Sequence, residues 1–356
     1  MSDSQGSAPL PPGWKRIFSN SQKRHYYFHA ETKHTQWHFP TASEAADPTK
    51  AKKRAEMNKE REENKKRSAG GGSSSSAKRQ RTEAAATVDD FLGLVDATSV
   101  AIIVPFRDIH AAQKRAMHLK AFIPHMIQFL TKQQKEGLVS DFHIYIMEQS
   151  DDGRKFNRGK LLNIGFDMAK KSKRGHDVFI FHDVDLLPND DLGPWYAKFP
   201  KTPIHIARVW DRYSGNKKYF GGVVSFSSAD YKRINGFPNT FWGWGGEDDE
   251  MQNRLERLGI KFISPDKGSL RDLEDMNITE KMAFLRKNRD WKCMVKWELL
   301  DEHEKTWKTN GLSDLKYSVL EQSPLDEKKK STKISVDVKL NGNHWANEKA
   351  GIDFTG

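Results

Sequence analysis

Apolar and polar residues follow two rhythms along this chain. Near the N-terminus they come in short bursts. His25-Tyr26-Tyr27-Phe28-His29 is bounded by the polar turn Ser19-Asn20-Ser21-Gln22, and Thr35-Gln36-Trp37 follows a second turn at Glu31-Thr32-Lys33. Aromatic runs between turn residues predict strands. Three short strands within residues 10–40 predict a small twisted antiparallel sheet, which can bury little apolar surface. From Val100 the rhythm changes. Val100-Ala101-Ile102-Ile103-Val104, Phe142-His143-Ile144-Tyr145-Ile146-Met147 and Val178-Phe179-Ile180-Phe181 read as strands, the first a continuous apolar run suited to burial on both faces. Ala111–Leu130, Leu161–Ala169 and the stretch from Met251 read as helices. Alternating β and α elements predict an α/β domain with a mainly parallel sheet. Ligands of such sheets sit at the carboxyl ends of strands, and Asp183-Val184-Asp185 emerges from one of those ends.

Between the two regions the apolar stripe disappears. Glu44–Arg67 is charged, Gly70–Gly72 with Ser73–Ser76 reads as a flexible tether, and Lys78-Arg79-Gln80-Arg81 is basic. The predicted organisation is a mini-domain over 8–42, a linker over 43–92, an α/β domain over 93–345 and a tail over 346–356.

Charge alters this picture little. The 356 residues carry a formal charge of +11. Residues 47–83 hold twelve Lys/Arg against six Asp/Glu, so this stretch alone supplies +6. The remainder is mildly basic, and a nucleic-acid partner is not expected. Cys293 is the single cysteine, which excludes an intrachain disulfide and suits a reducing compartment. The N-terminus lacks the basic and apolar regions of a signal peptide, and no run approaches a membrane span. Together with the basic clusters, these features predict a cytoplasmic or nuclear protein with no membrane partner.

Two constellations carry chemistry. The paired carboxylates Asp183 and Asp185, one residue apart at a strand end, face the same side and suit a hard divalent cation bridging a diphosphate; a solvated turn has the same pattern. The second is Phe241-Trp242-Gly243-Trp244-Gly245-Gly246-Glu247-Asp248-Asp249. Glycine between aromatics lets backbone approach a flat ligand, Trp faces stack on sugar rings, and a nearby carboxylate can take a hydroxyl proton. Since Asp248 and Asp249 precede the helix at Met251, its dipole is expected to favour their ionised form.

The N-terminal pattern Leu10-Pro11-Pro12-Gly13-Trp14, with Tyr26-Tyr27, Trp37 and Pro40, resembles a WW domain over its whole length. The resemblance implies a buckle of Trp14, Tyr27 and Pro40. It implies a ligand face of Tyr26, Phe28, Thr35 and Trp37, between whose rings a proline-rich helix docks. Ala30 stands where members reading a PPxY sequence carry histidine, which favours another proline-rich class.

The C-terminal blocks resemble the β-1,4-galactosyltransferase family from Val100 to about Val338. That resemblance implies a GT-A fold and an inverting transfer of a hexose, galactose favoured, from a UDP-sugar to a sugar or glycoprotein acceptor. It also implies Mn²⁺, with Mg²⁺ as the alternative ion. The implied donor contacts are Pro105, Phe106, Arg107, Phe156, Arg158, Asp183, Val184, Tyr219, Gly222 and Trp244. The implied acceptor contacts are Gly245, Gly246, Glu247 and Asp249, with Asp248 as catalytic base and Asp185 on the metal. The family's later metal-binding Met and His are replaced, by register, with Asp272 and Asp275. Either these carboxylates complete the metal site or the stretch caps the next helix. Asp108-Ile109 follows Pro105-Phe106-Arg107 where the family often has a further Arg, which implies fewer nucleotide contacts. The competing reading is a WW adaptor on a catalytically inactive transferase fold.

Overall fold

The computed structural model describes residues 10–36, without 11, 20–23 and 31–34, and residues 97–339, without 198, 214–215 and 217–218. The chain divides into two compact units that part between Glu83 and Ala84. The proposed linker and tail lie outside the described residues, as does Trp37; the side chains of Tyr26 and Thr35 do too.

In the N-terminal unit, β1 (Trp14–Ser19), β2 (Arg24–His29) and β3 (Thr35–Gln36) form an antiparallel sheet in that order. Trp14 pairs with His29 and packs edge-on against its ring, centroids 5.2 Å apart, and both are buried. Phe28 is the register partner of Thr35. Because side chains alternate along a strand, Phe28 belongs to the face opposite His29.

The second unit is built on a seven-stranded sheet. Its strands are β4 (Thr98–Phe106), β5 (Val139–Gln149), β6 (Val178–His182), β8 (Ile204–His205), β9 (Val223–Ser227), β11 (Ser318–Pro324) and β12 (Ser331–Asp337). They are ordered β11-β12-β5-β4-β6-β9-β8. A two-stranded ribbon pairs β7 (Leu186–Pro188) with β10 (Leu270–Asp272). The β4 run is buried on both faces, as its composition predicts. Val100, Ile102 and Val104 enter one core with Phe122, Met126 and Leu130 of the helix Arg115–Lys135. Ala101 and Ile103 enter the other with Leu161, Leu162 and Ile164 of the helix Arg158–Lys171.

The sheet is mixed rather than mainly parallel. β12–β5, β5–β4 and β4–β6 run parallel, while β11–β12, β6–β9 and β9–β8 run antiparallel. Period-two alternation does not encode strand direction, so the pattern could not have shown this. The reversal of β9 decides where the site lies. His182 at the end of β6 pairs with Val223 at the start of β9, and the Asp183 N–H donates to the Gly222 carbonyl at 2.9 Å. The segment leading into β9, Tyr219 to Gly222, is thereby delivered to the carboxyl end of β6.

Candidate active site

Three local structures converge at the carboxyl ends of β4 and β6. The first is the start of the helix Arg158–Lys171. Asn157 caps it, its side-chain oxygen accepting from the Lys160 N–H at 3.0 Å while its amide donates to the Asn239 carbonyl at 2.8 Å. Such a cap replaces a missing helical hydrogen bond, and here it also fixes Arg158 as the first helical residue. The second is the Asp183–Asp185 turn. The third is the loop into the helix Glu247–Arg257, whose first turn holds Glu247, Asp248, Asp249 and Glu250. Gly246 precedes it at φ 108°, a conformation that favours glycine.

These elements surround a pocket of about 260 Å³. Pro105, Phe106, Arg107, Phe156, Arg158, Asp183, Val184, Asp185, Tyr219, Trp244, Gly245, Gly246, Glu247, Asp248 and Asp249 all line it. Gly222 lies behind that wall, where an added Cβ would come 2.9 Å from the Tyr219 hydroxyl.

Arg158 organises the charge. Its Nε donates to Asp183 Oδ1 and its Nη1 to Asp248 Oδ1, both at 2.8 Å, and Glu247 lies 3.5 Å away. Its Nη2 is buried with no hydrogen-bond partner, as is Glu247 Oε2. Burial raises the carboxyls of Asp183 and Glu247 even against the Arg158 charge. Asp248 goes furthest: burial, with Glu247, Asp183 and Asp249 nearby, lifts its carboxyl well above the ordinary value despite Arg158. Desolvation and neighbouring like charges thus oppose the ionised form that the helix start was expected to favour.

Asp185 has a different environment. Burial works against its charge, but Arg115 holds the carboxylate directly and Lys281 adds to the field, so its carboxyl falls well below the usual range. The other two expected metal-binding carboxylates are engaged by cations of their own. Asp272 is engaged by Arg212 at 2.6 Å and accepts from Trp210 Nε1 at 3.2 Å, whereas Asp275 is exposed and paired with Lys114 at 2.7 Å. Neither lines the pocket. No group of three or more His, Cys, Asp or Glu side chains among the described residues is placed to hold a metal ion. Nor does the stretch cap the next helix: Asn277 does so, in a capping box with Glu280.

Several pocket residues carried no local signal. Arg115 and Lys281 line the wall beside Asp185, and Lys296 pairs with Asp249 at 2.6 Å. Trp291 stacks on His110 with centroids 3.9 Å apart, and its carbonyl accepts from the Trp244 N–H. Tyr213 stacks on Tyr219 at 4.1 Å. Cys293 packs with Phe241 and Leu299, and burial pushes its thiol up to about 12, which suits an inert core residue.

A family model described as the N-terminal region of glycosyl transferase group 7 matches residues 94–197, and one described as the N-terminal domain of galactosyltransferase matches 201–281. Human β-1,4-galactosyltransferase 4 is 36% identical over 234 residues, covering 64% of this chain and 61% of the relative. The chain belongs to the β-1,4-galactosyltransferase family. Bovine β-1,4-galactosyltransferase 1 is 37% identical over 247 residues, covering 67% of this chain and 54% of that protein. The catalytic domain of Drosophila β-1,4-galactosyltransferase 7, solved with xylobiose, superposes with a TM-score of 0.55 at 28% identity, covering 69% of this chain and 96% of that one. A mutant of the same fly enzyme, solved with manganese, UDP-Gal and xylobiose, gives 0.54 at 29% identity over the same shares. These neighbours assign the GT-A fold. A WW domain model matches residues 10–40.

Family membership also corrects the expected location. β-1,4-Galactosyltransferases are Golgi membrane enzymes, so a cytoplasmic or nuclear placement is not upheld. No helix among the described residues is long and apolar enough to cross a membrane. The chain spans only 60–63% of the length of the first curated relatives it matches.

Proposed function

We propose that this chain transfers a hexose, galactose favoured, from a UDP-sugar to a hydroxyl of a carbohydrate or glycoprotein acceptor, inverting the anomeric centre. The observation that carries this reading is the single guanidinium of Arg158 gathering Asp183, Glu247 and Asp248 on one pocket wall. Asp248 takes the proton of the acceptor hydroxyl. The oxygen then bonds to the anomeric carbon as the bond to UDP breaks, its electron pair leaving with the diphosphate. The raised affinity of Asp248 for a proton suits a group that accepts one from a hydroxyl. Arg158 Nη2 and Glu247 Oε2, buried without partners, support a polar ligand there: the first as a donor to the nucleotide sugar, the second as an acceptor from a sugar hydroxyl. Trp244, 36% exposed, offers a stacking face for the sugar. Asp183 is placed for the nucleotide, and Tyr219 limits the room around the donor sugar.

The solved fly relative binds manganese together with UDP-Gal. Such an ion, when bound, offsets the charge gathering on the leaving diphosphate. Asp185 fits it as one hard carboxylate ligand on the pocket wall, with magnesium as the alternative ion.

The N-terminal unit takes a proline-rich peptide on the face of Phe28, and the linker 43–92 tethers that acceptor near the transferase domain, raising its effective concentration.

The test is a donor screen with UDP-galactose, UDP-glucose, UDP-GlcNAc and UDP-GalNAc, each with Mn²⁺, read by thermal shift and by UDP release to β-xyloside and GlcNAc acceptors. UDP-galactose is expected to raise the melting temperature and support turnover that Asp248→Asn reduces to a small residual rate. No shift and no release with any donor would leave the adaptor reading standing.

A further inference from the structure

A buried histidine holds the turn that carries the pocket wall into β9. The Val223 N–H donates to the Gly221 carbonyl at 2.9 Å across Gly222, whose φ is 73°. A bond from residue i+2 back to residue i about such a φ marks a γ-turn of the rarer, strained kind. Strained backbone persists only where its surroundings over-determine it. Two further bonds fix this turn. The Asp183 N–H donates to the Gly222 carbonyl at 2.9 Å, and His205 Nε2 lies 3.0 Å from the Gly221 carbonyl.

His205 is fully buried on β8, where its N–H donates to the Ile263 carbonyl at 2.8 Å and it stands in register with Val224 of β9. Its ring packs among those of Tyr219, Phe220 and Phe262. A carbonyl oxygen can only accept, so the ring proton sits on Nε2. That leaves Nδ1 as a bare acceptor, and it is buried with no hydrogen-bond partner. Burial pushes the imidazole down to about 4, so the ring stays neutral at ordinary pH. A phenyl ring would fill this aromatic site without stranding a polar atom. What the imidazole adds is the Nε2–H on Gly221.

The turn it holds backs two pocket side chains. A methyl group on Gly221 would overlap the Asp248 carboxylate, and one on Gly222 would meet the Tyr219 hydroxyl. We propose that His205, which does not touch the substrate, is a positioning residue: through Gly221 it sets the turn against which Asp248 and Tyr219 rest. The inference rests on the transferase reading above.

The test compares UDP release by the full chain with that of His205→Phe and His205→Gln, using UDP-galactose and UDP-GalNAc. His205→Phe keeps a ring and removes both the donor and the stranded Nδ1, so the melting temperature is expected to hold or rise. Its kcat with UDP-galactose is expected to fall at least about tenfold, and its preference for UDP-galactose over UDP-GalNAc to narrow. The side-chain amide of His205→Gln can donate from the place of Nε2 and is expected to recover most of that kcat. Adding His205→Phe to Gly221→Ala is expected to cost less than the two losses combined, because both act on one turn. In the unaltered protein, ¹⁵N-histidine resonance spectra are expected to show His205, assigned by its contacts to Phe220 and Phe262, as the Nε2–H tautomer. A folded His205→Phe with unchanged kcat overturns the proposal, as do equal losses in folded His205→Phe and His205→Gln. So does the Nδ1–H tautomer, a result that stands even if neither variant folds. No turnover by the unaltered protein with any donor sinks the transferase reading and this inference together; full turnover by His205→Phe sinks the inference alone.

Discussion

Gly221 sits directly behind the proposed base. An alanine there places its methyl carbon 2.2 Å from Asp248 Oδ2, 2.6 Å from Asp248 Cγ and 2.8 Å from Tyr219 Cε2. Ordinary carbon–oxygen contact begins near about 3.3 Å, so the carboxylate must retreat by roughly 1 Å. Whether stability or chemistry bears the cost depends on what can move. Asp248 is the end of a flexible side chain, 23% exposed at the pocket wall, so it can turn away cheaply. Turning away breaks its 2.8 Å contact with Arg158 and misplaces the proton acceptor. A displacement of about 1 Å in a reacting group costs on the order of 10²-fold in rate, or about 2.7 kcal/mol. Gly221→Ala is therefore expected to lower kcat about 10²-fold, with a melting temperature close to that of the unaltered protein. UDP release at saturating donor and acceptor gives kcat, and thermal unfolding gives the control. In an Asp248→Asn background the same alanine should add nothing, because both changes disable one group. A kcat within about threefold of the unaltered value, or equal losses in both backgrounds, would refute the reasoning.

Other outcomes follow from the same geometry. Asp248 must be ionised to act, so kcat is expected to fall as pH drops through a pKa above the ordinary carboxylate range, and Asp248→Asn should abolish that limb of the profile. Because folding raises this pKa, the stability contributed by Asp248 is present at low pH and lost as pH rises through the folded value. Asp248→Asn at neutral pH is thus expected to leave the melting temperature unchanged or higher. Arg254 is fully buried and donates to Glu250, to the carbonyls of Asn235 and Gly236, and to that of Asn310. Arg254→Leu strands those acceptors and is expected to cost about 3–5 kcal/mol in denaturant unfolding, and a loss under about 1 kcal/mol would contradict that account. Removing residues 1–45 is expected to slow turnover of a proline-rich glycoprotein acceptor but not of a free sugar acceptor; equal rates on the first would end the recruitment idea.

Much of this protein is legible in its sequence. Val100–Val104 is apolar at every position, and a strand covered on both faces requires that, so its place at the centre of the sheet was readable locally. The Asp183–Asp185 pair could be placed at a strand end because the apolar run stops there, and the glycine-rich loop at a helix start because the pattern changes at Met251. The direction of β9 was not readable, since alternation is the same whichever way a strand runs, yet that direction brings Tyr219 and Gly221 to the pocket. The charge partners were equally hidden. Arg115 meets Asp185 across 70 residues and Arg158 meets Asp248 across 90, and nothing in the local pattern around either arginine names its carboxylate. Residue type and spacing determined which groups this chain possesses and which strand and helix ends present them. Only the tertiary structure decided which of those charges are buried together, because desolvation and Coulomb energy depend on distance through space rather than along the chain.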